Sequence, residues 1–104
     1  MSGGSPEYIA ALGHAYAASG NRIEAQRALD QLSELATRRY VPAYEVALVH
    51  AALRERDRAM VWLERAYQER GGWLVYLRVD PRLDPLQSDA RFQELLRRVG
   101  IPTT

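Results

Sequence analysis

The 104-residue chain has no cysteine and no lysine. Without thiols it can form no disulfide, no thiolate nucleophile and no thiolate metal site. All 14 basic residues are arginine. In an alanine-rich chain this reads as a GC-rich coding bias before it reads as selection for carboxylate or phosphate binding. Histidine is almost as scarce. His14 and His50 stand alone, with no His-Glu-x-x-His or comparable ligand spacing around either. No glycine-rich phosphate loop is present, and Gly71-Gly72 reads as a helix stop. The longest apolar runs fall well short of the roughly 18 residues of a membrane span. Met1-Ser2-Gly3-Gly4-Ser5 lacks the basic and apolar regions of a signal peptide and reads as a linker, so a cytoplasmic location is expected. The net charge of +1 gives no bulk attraction to nucleic acid or anionic membranes.

What is present is a soluble composition, 47% hydrophobic and 26% charged, in a chain of one-domain length. It also carries a self-match. Shifted by 34 residues, the sequence aligns without a gap: Ala17 on Ala51, Ala18 on Ala52, Arg22 on Arg56, Ala25 on Ala59 and Leu29 on Leu63. Conservative pairs lie between them, Leu12 with Val46, Gly13 with Ala47 and Leu32 with Ala66. Tyr16 falls on His50, which therefore reads as a packing residue. Gly13 and Ala25 are small enough for two helices to approach closely, and Leu12, Tyr16 and Leu29 would fill the space around that contact.

Apolar spacing predicts helices over about 6–19, 22–38, 42–54 and 56–70, then a short one at 73–77 and a last one over about 89–99. Ser5 and Pro6 suit the first helix start. Gly20-Asn21 suits the first turn, whereas the second, Arg54-Glu55-Arg56-Asp57, lacks glycine. Asp80-Pro81 and Asp84-Pro85 read as successive tight turns, and Ser88 as a capping residue.

Leu12-Gly13-x-x-Tyr16 followed by Ala25-x-x-x-Leu29, at a period of 34, resembles the tetratricopeptide repeat. Further matches are Tyr40-Val41-x-x-Tyr44, Ala59-x-x-Trp62-Leu63-Glu64-x-Ala66-Tyr67 and Val79-Asp80-Pro81-x-Leu83-Asp84-x-Leu86-x-Ser88-Asp89-x-Arg91-Phe92. They resemble the C-terminal tetratricopeptide segment of bacterial multidomain regulators that carry winged-helix, adenylate-cyclase or Ser/Thr-kinase domains. Ala90 departs from that pattern, where the family usually has proline. The resemblance covers nearly all of residues 7–101.

It implies an all-α fold with two helix-turn-helix repeats in a right-handed solenoid, a short helix and a C-terminal capping helix. Residues 1–5 would be linker, 6–39 repeat one, 40–73 repeat two, 74–100 the cap and 101–104 a tail. The implied function is a non-catalytic protein–protein interaction module, the sensory or scaffolding end of a regulator, with no cofactor and no metal. The rival reading is an arginine-dependent nucleic-acid-binding helical domain using Arg22, Arg27, Arg38 and Arg39.

By resemblance, the concave groove would be lined by Glu7, Ala10, His14, Ala17 and Ala18, then Val41, Tyr44, Leu48, Ala51 and Ala52. It lacks the lysine of a carboxylate clamp, and its apolar walls suit a protein or peptide segment with an apolar face. Tyr44 and Leu48 either anchor such a partner or are covered by a neighbouring part of the same chain. Two repeats are few for a stacked array. The first helix should therefore show an open apolar side around Tyr8, Ile9 and Ala15, expected to find a missing repeat or a second copy. Asp80, Asp84 and Asp89 lack the spacing of a calcium loop, and Ser88 has no histidine base beside it.

Overall fold

A computed structural model of the chain describes residues 5–69, 77 and 79–99. All the regular structure in them is helical. Helix α1 spans Pro6–Ala18, α2 Arg22–Ala36, α3 Ala43–Ala52, α4 Arg56–Glu69 and α5 Ala90–Val99, and a 3-10 helix occupies Pro81–Leu86. The expected short helix at 73–77 and the stop at Gly71-Gly72 lie outside the described residues, apart from Leu77, which is buried.

Local chemistry sets the ends. The Ser5 hydroxyl accepts the Tyr8 N–H, with Pro6 in the first turn, and the Asn21 side chain accepts the Glu24 N–H. Helix α2 stops at Ala36, two residues before the sequence expectation, and the Thr37 hydroxyl bonds back to the Glu34 carbonyl. Pro42 sits at the N-cap of α3 and not within the helix.

The two hairpin turns are built alike. Gly20 has φ +89° and Arg54, 34 residues on, has φ +63°. In each, the next residue's N–H reaches five residues back, Asn21 to Tyr16 O at 2.8 Å and Glu55 to His50 O at 3.0 Å. This is the Schellman pattern that closes a helix through a left-handed residue. The glycine-free second turn thus forms with arginine in the strained position.

Helix α1 pairs with α2, α3 pairs with α4, and α1 lies against α3. Close approach within the first hairpin depends on Gly13. A Cβ built there would lie 2.9 Å from the Ala28 Cβ and 3.3 Å from both Val49 methyls. Helix α3 is apolar on nearly every side, the signature of a buried helix, and eight of its ten residues are buried. One face, with Val46 and Val49, joins Ile9, Ala10, Ala25, Ala28, Leu29 and Leu32 in a first core. The opposite face, with Tyr44, Ala47, Leu48 and Ala51, joins α4 and the tail residues Leu77, Leu83, Leu86, Phe92 and Leu95 in a second. The molecule is 19 Å across its thinnest axis, about two helix diameters.

In the tail, Asp80 and Asp89 do the same work. Each carboxylate accepts the N–H two residues ahead, at Arg82 and Arg91, and pairs side-on with that arginine's guanidinium. Asp89, not Ser88, caps α5, because its carboxylate can turn back onto the Arg91 N–H. The guanidinium of Arg91 holds the Asp89 carboxyl down at about 2 and also reaches Asp57 at 2.9 Å, tying α5 to α4. Arg98 adds an ion pair to Glu64 and lies over the Tyr67 ring.

Candidate functional site

The groove expected between the two hairpins is only partly open. Tyr44, Leu48 and Ala51 are buried, because the 3-10 helix packs on α3 and inserts Leu83 and Leu86. The same chain therefore covers the apolar half of the groove. Ala10 and Ala17 are buried as well. Val41 does not line this side. It packs partly buried against the first core and faces the opposite surface, in a groove between α2 and α4. Glu7 is exposed at the start of α1.

His14, Ala17, Ala18 and Ala52 are brought together in the half that remains. They line an open cleft of about 740 Å³, closed on its far side by Pro81, Arg82, Asp84 and Pro85 and at one end by Gly20, Arg22 and Arg54. Sequence reasoning missed these wall residues. The signal for the tail's part was the Leu83–Leu86 spacing inside the Asp-Pro segment, which marks one apolar side of a tight helix.

The cleft wall carries three arginines against one carboxylate. Arg22 donates to the Leu53 carbonyl at 3.1 Å and to Glu55 at 3.4 Å, bracing the ends of both hairpins. Arg82 is held by Asp80, and its side chain stays 44% exposed. Arg54 projects from its turn with no ion pair among the described residues. Burial, and then the Arg82 charge, lower the His14 pKa, so its imidazole is neutral at pH 7.

Beneath the cleft wall is a buried polar anchor. The Tyr44 hydroxyl donates to Asp80 at 2.5 Å. Burial pushes the Tyr44 hydroxyl far up and the Asp80 hydrogen bond adds to it. Burial also opposes ionisation of Asp80, but hydrogen bonds from Arg82 and Tyr44 outweigh it and hold the carboxyl below its ordinary value. Burial raises the nearby Glu45 carboxyl, and the Arg82 charge opposes that rise.

On the opposite surface, the α2–α4 groove encloses about 490 Å³ and is lined by Tyr40, Val46, His50, Trp62 and Arg65 among others. His50 is buried there, its Nδ1 2.8 Å from Glu55 Oε1, and Arg65 stacks over Trp62. Among the described residues no group of three or more His, Asp or Glu side chains could hold a metal, and no helix is long and apolar enough to cross a membrane.

Of the arginines considered for nucleic acid, Arg22, Arg27 and Arg38 are each engaged by a carboxylate of this chain. Of the residues expected on an open apolar face of α1, Tyr8 and Ala15 are exposed but Ile9 is buried in the first core. No protein-family model matches the chain, and neither a curated protein nor a solved structure matches it significantly.

Proposed function

We propose that the chain is a non-catalytic protein–protein interaction module, two tetratricopeptide-type hairpins in a right-handed solenoid closed by a C-terminal cap. The 34-residue self-match, the shared turn geometry at Gly20 and Arg54 and the tail motif support this reading. The same motif supports a role as the sensory or scaffolding end of a bacterial regulator.

The observation that carries the binding reading is the open cleft at His14, Ala18 and Ala52, walled by Arg22, Arg54 and Arg82. Its floor is made of small side chains, which lets a backbone approach, and its rim is cationic. Such a surface suits a short acidic segment of a partner. The apolar partner expected from sequence has lost its anchors, since Tyr44 and Leu48 are spent on the tail.

Titration with a synthetic Asp/Glu-rich peptide, followed by resonance shifts, tests the reading. The shifts should cluster on His14, Ala18, Arg54 and Arg82, weaken with added salt, and be absent for a Lys-rich peptide of the same length. Arg54→Glu should cost at least about tenfold in affinity. Equal binding of both peptides, or shifts confined to the α2–α4 groove, would overturn it.

A further inference from the structure

Along α4, Arg58, Trp62, Arg65 and Glu69 follow at steps of four, three and four, so they share one face of the helix. They form one wall of the α2–α4 groove of about 490 Å³, and Gln26, Asp30 and Ser33 of α2 form the other. Between the walls, the buried Val46 and His50, one turn apart on α3, make the floor with Leu29. The volume lies within the roughly 300–1,000 Å³ of small-molecule sites.

The floor holds a polar group with spare capacity. His50 is 6% exposed. A carboxylate only accepts, so the 2.8 Å contact with Glu55 Oε1 puts the ring proton on Nδ1 and, in the neutral imidazole, a lone pair on Nε2. No described residue bonds to Nε2. A buried acceptor without a donor is costly, and a ligand that brings the donor gains from supplying it. The walls add charge. Arg65 lies 4.6 Å over the Trp62 ring, and Arg39, Arg58 and Arg65 have no ion pair among the described residues. The two carboxylates of the groove are already engaged: Asp30 accepts from the Gln26 amide at 3.1 Å and Glu69 from the Tyr40 hydroxyl at 2.9 Å.

We infer that this groove binds a small planar aromatic acid whose ring carries an N–H donor. The half-buried Trp62, with Val46 and Leu29, offers the ring an apolar slot. Arg58 and Arg65, one turn to either side of Trp62, bracket it with guanidiniums suited to a carboxylate. His50 Nε2 takes the ring N–H. A cationic ligand would meet three arginines, and a ring without a donor would leave Nε2 unsatisfied. The groove lies on the surface opposite the His14 cleft, so the inference does not depend on acidic-segment binding there.

Calorimetric titration of the wild-type chain with three probes of similar size tests it, with resonance shifts locating the site. Indole-3-acetate has the ring N–H and the carboxylate, and should bind with a Kd between about 10 μM and about 1 mM. Its shifts should fall on His50 and on the Trp62 indole N–H. Naphthalene-1-acetate keeps the carboxylate without the N–H and should bind at least about threefold more weakly. Tryptamine keeps the N–H and carries an ammonium in place of the carboxylate, and should not bind. Arg58→Glu, at an exposed position, should weaken indole-3-acetate at least about tenfold, whereas Arg54→Glu in the other cleft should leave it unchanged. No binding of indole-3-acetate up to about 5 mM, equal binding of either analogue, or shifts centred on His14 and Arg82 would each overturn the inference.

Discussion

The Tyr44 hydroxyl on α3 donates a 2.5 Å hydrogen bond to the Asp80 carboxylate, joining residues 36 apart in sequence. Both groups are buried, and Arg82 completes the Asp80 shell with two guanidinium contacts and its own N–H. This is the polar fastening of the tail onto the second hairpin. Tyr44→Phe keeps the ring in the core and removes the donor. A buried hydrogen bond to a charged group contributes about 1.5–3 kcal/mol, so urea unfolding should show a loss of that size. An unchanged midpoint would mean that this hydrogen bond adds nothing net to the apolar contacts and ion pairs that also hold the tail.

The same carboxylate sets an acid limit. Asp80 has an ordinary value of 3.8 and sits lower in the fold. Its stabilisation is therefore complete above pH ~3.8 and is lost as pH falls through the lower folded value. In a series of thermal melts, wild type should lose stability in that window, and Asp80→Asn should be less stable at neutral pH with a flatter acid slope. His14 acts in a separate window with the same direction. The unfolded chain protonates near 6.5, above the folded value, so stability declines as pH drops below about 6.5. His14→Gln should remove that earlier decline and leave the later one.

Gly13 is the contact point of α1 with both α2 and α3. Alanine there would gain up to about 1 kcal/mol of helix propensity. Its Cβ would also fall 2.9 Å from Ala28 Cβ, which has no flexible end to move aside. Overpacking of this kind costs about 1–3 kcal/mol, so Gly13→Ala should lower the melting temperature despite its helical gain. A rise would show that the hairpin opens at no cost.

The helices were legible because their apolar spacing and caps are local. Ser5-Pro6, Asn21 and the Asp-Pro pairs act within a few residues of where they stand. The groove was not legible to the same degree. Tyr44 looks like an anchor from its helix position, and only the placement of Leu77, Leu83 and Leu86 decides that the chain itself occupies its surroundings. Ile9, Tyr16 and Leu12 share one apolar pattern, yet Ile9 faces the core while Leu12 and Tyr16 face out. Periodicity gives the width of a stripe and not which edge of it has a neighbour. The cationic rim was missed because Arg22, Arg54 and Arg82 come from the start of α2, the second turn and the tail and meet only in three dimensions.

Arg54 puts stability against the proposed binding. It holds φ at +63° in the turn position that Gly20 occupies at +89° in the first hairpin. A non-glycine residue pays about 1 kcal/mol or more for that conformation. Glycine would relieve it, at an entropy cost in the unfolded chain of somewhat under 1 kcal/mol. Arg54→Gly should therefore stabilise the protein by a few tenths to about 1 kcal/mol. The same change removes the one guanidinium of the cleft that has no ion pair among the described residues. Acidic-peptide affinity should fall as the melting temperature rises. Gly20→Ala introduces the strain and adds only a methyl group at the cleft end, where nothing lies within 4 Å of it, so it should lower stability with far less effect on affinity than Arg54→Gly. Melting and titration of the two variants side by side separate the roles. If Arg54→Gly stabilised the chain and bound the acidic peptide as tightly as wild type, the arginine would be a backbone liability with no part in binding.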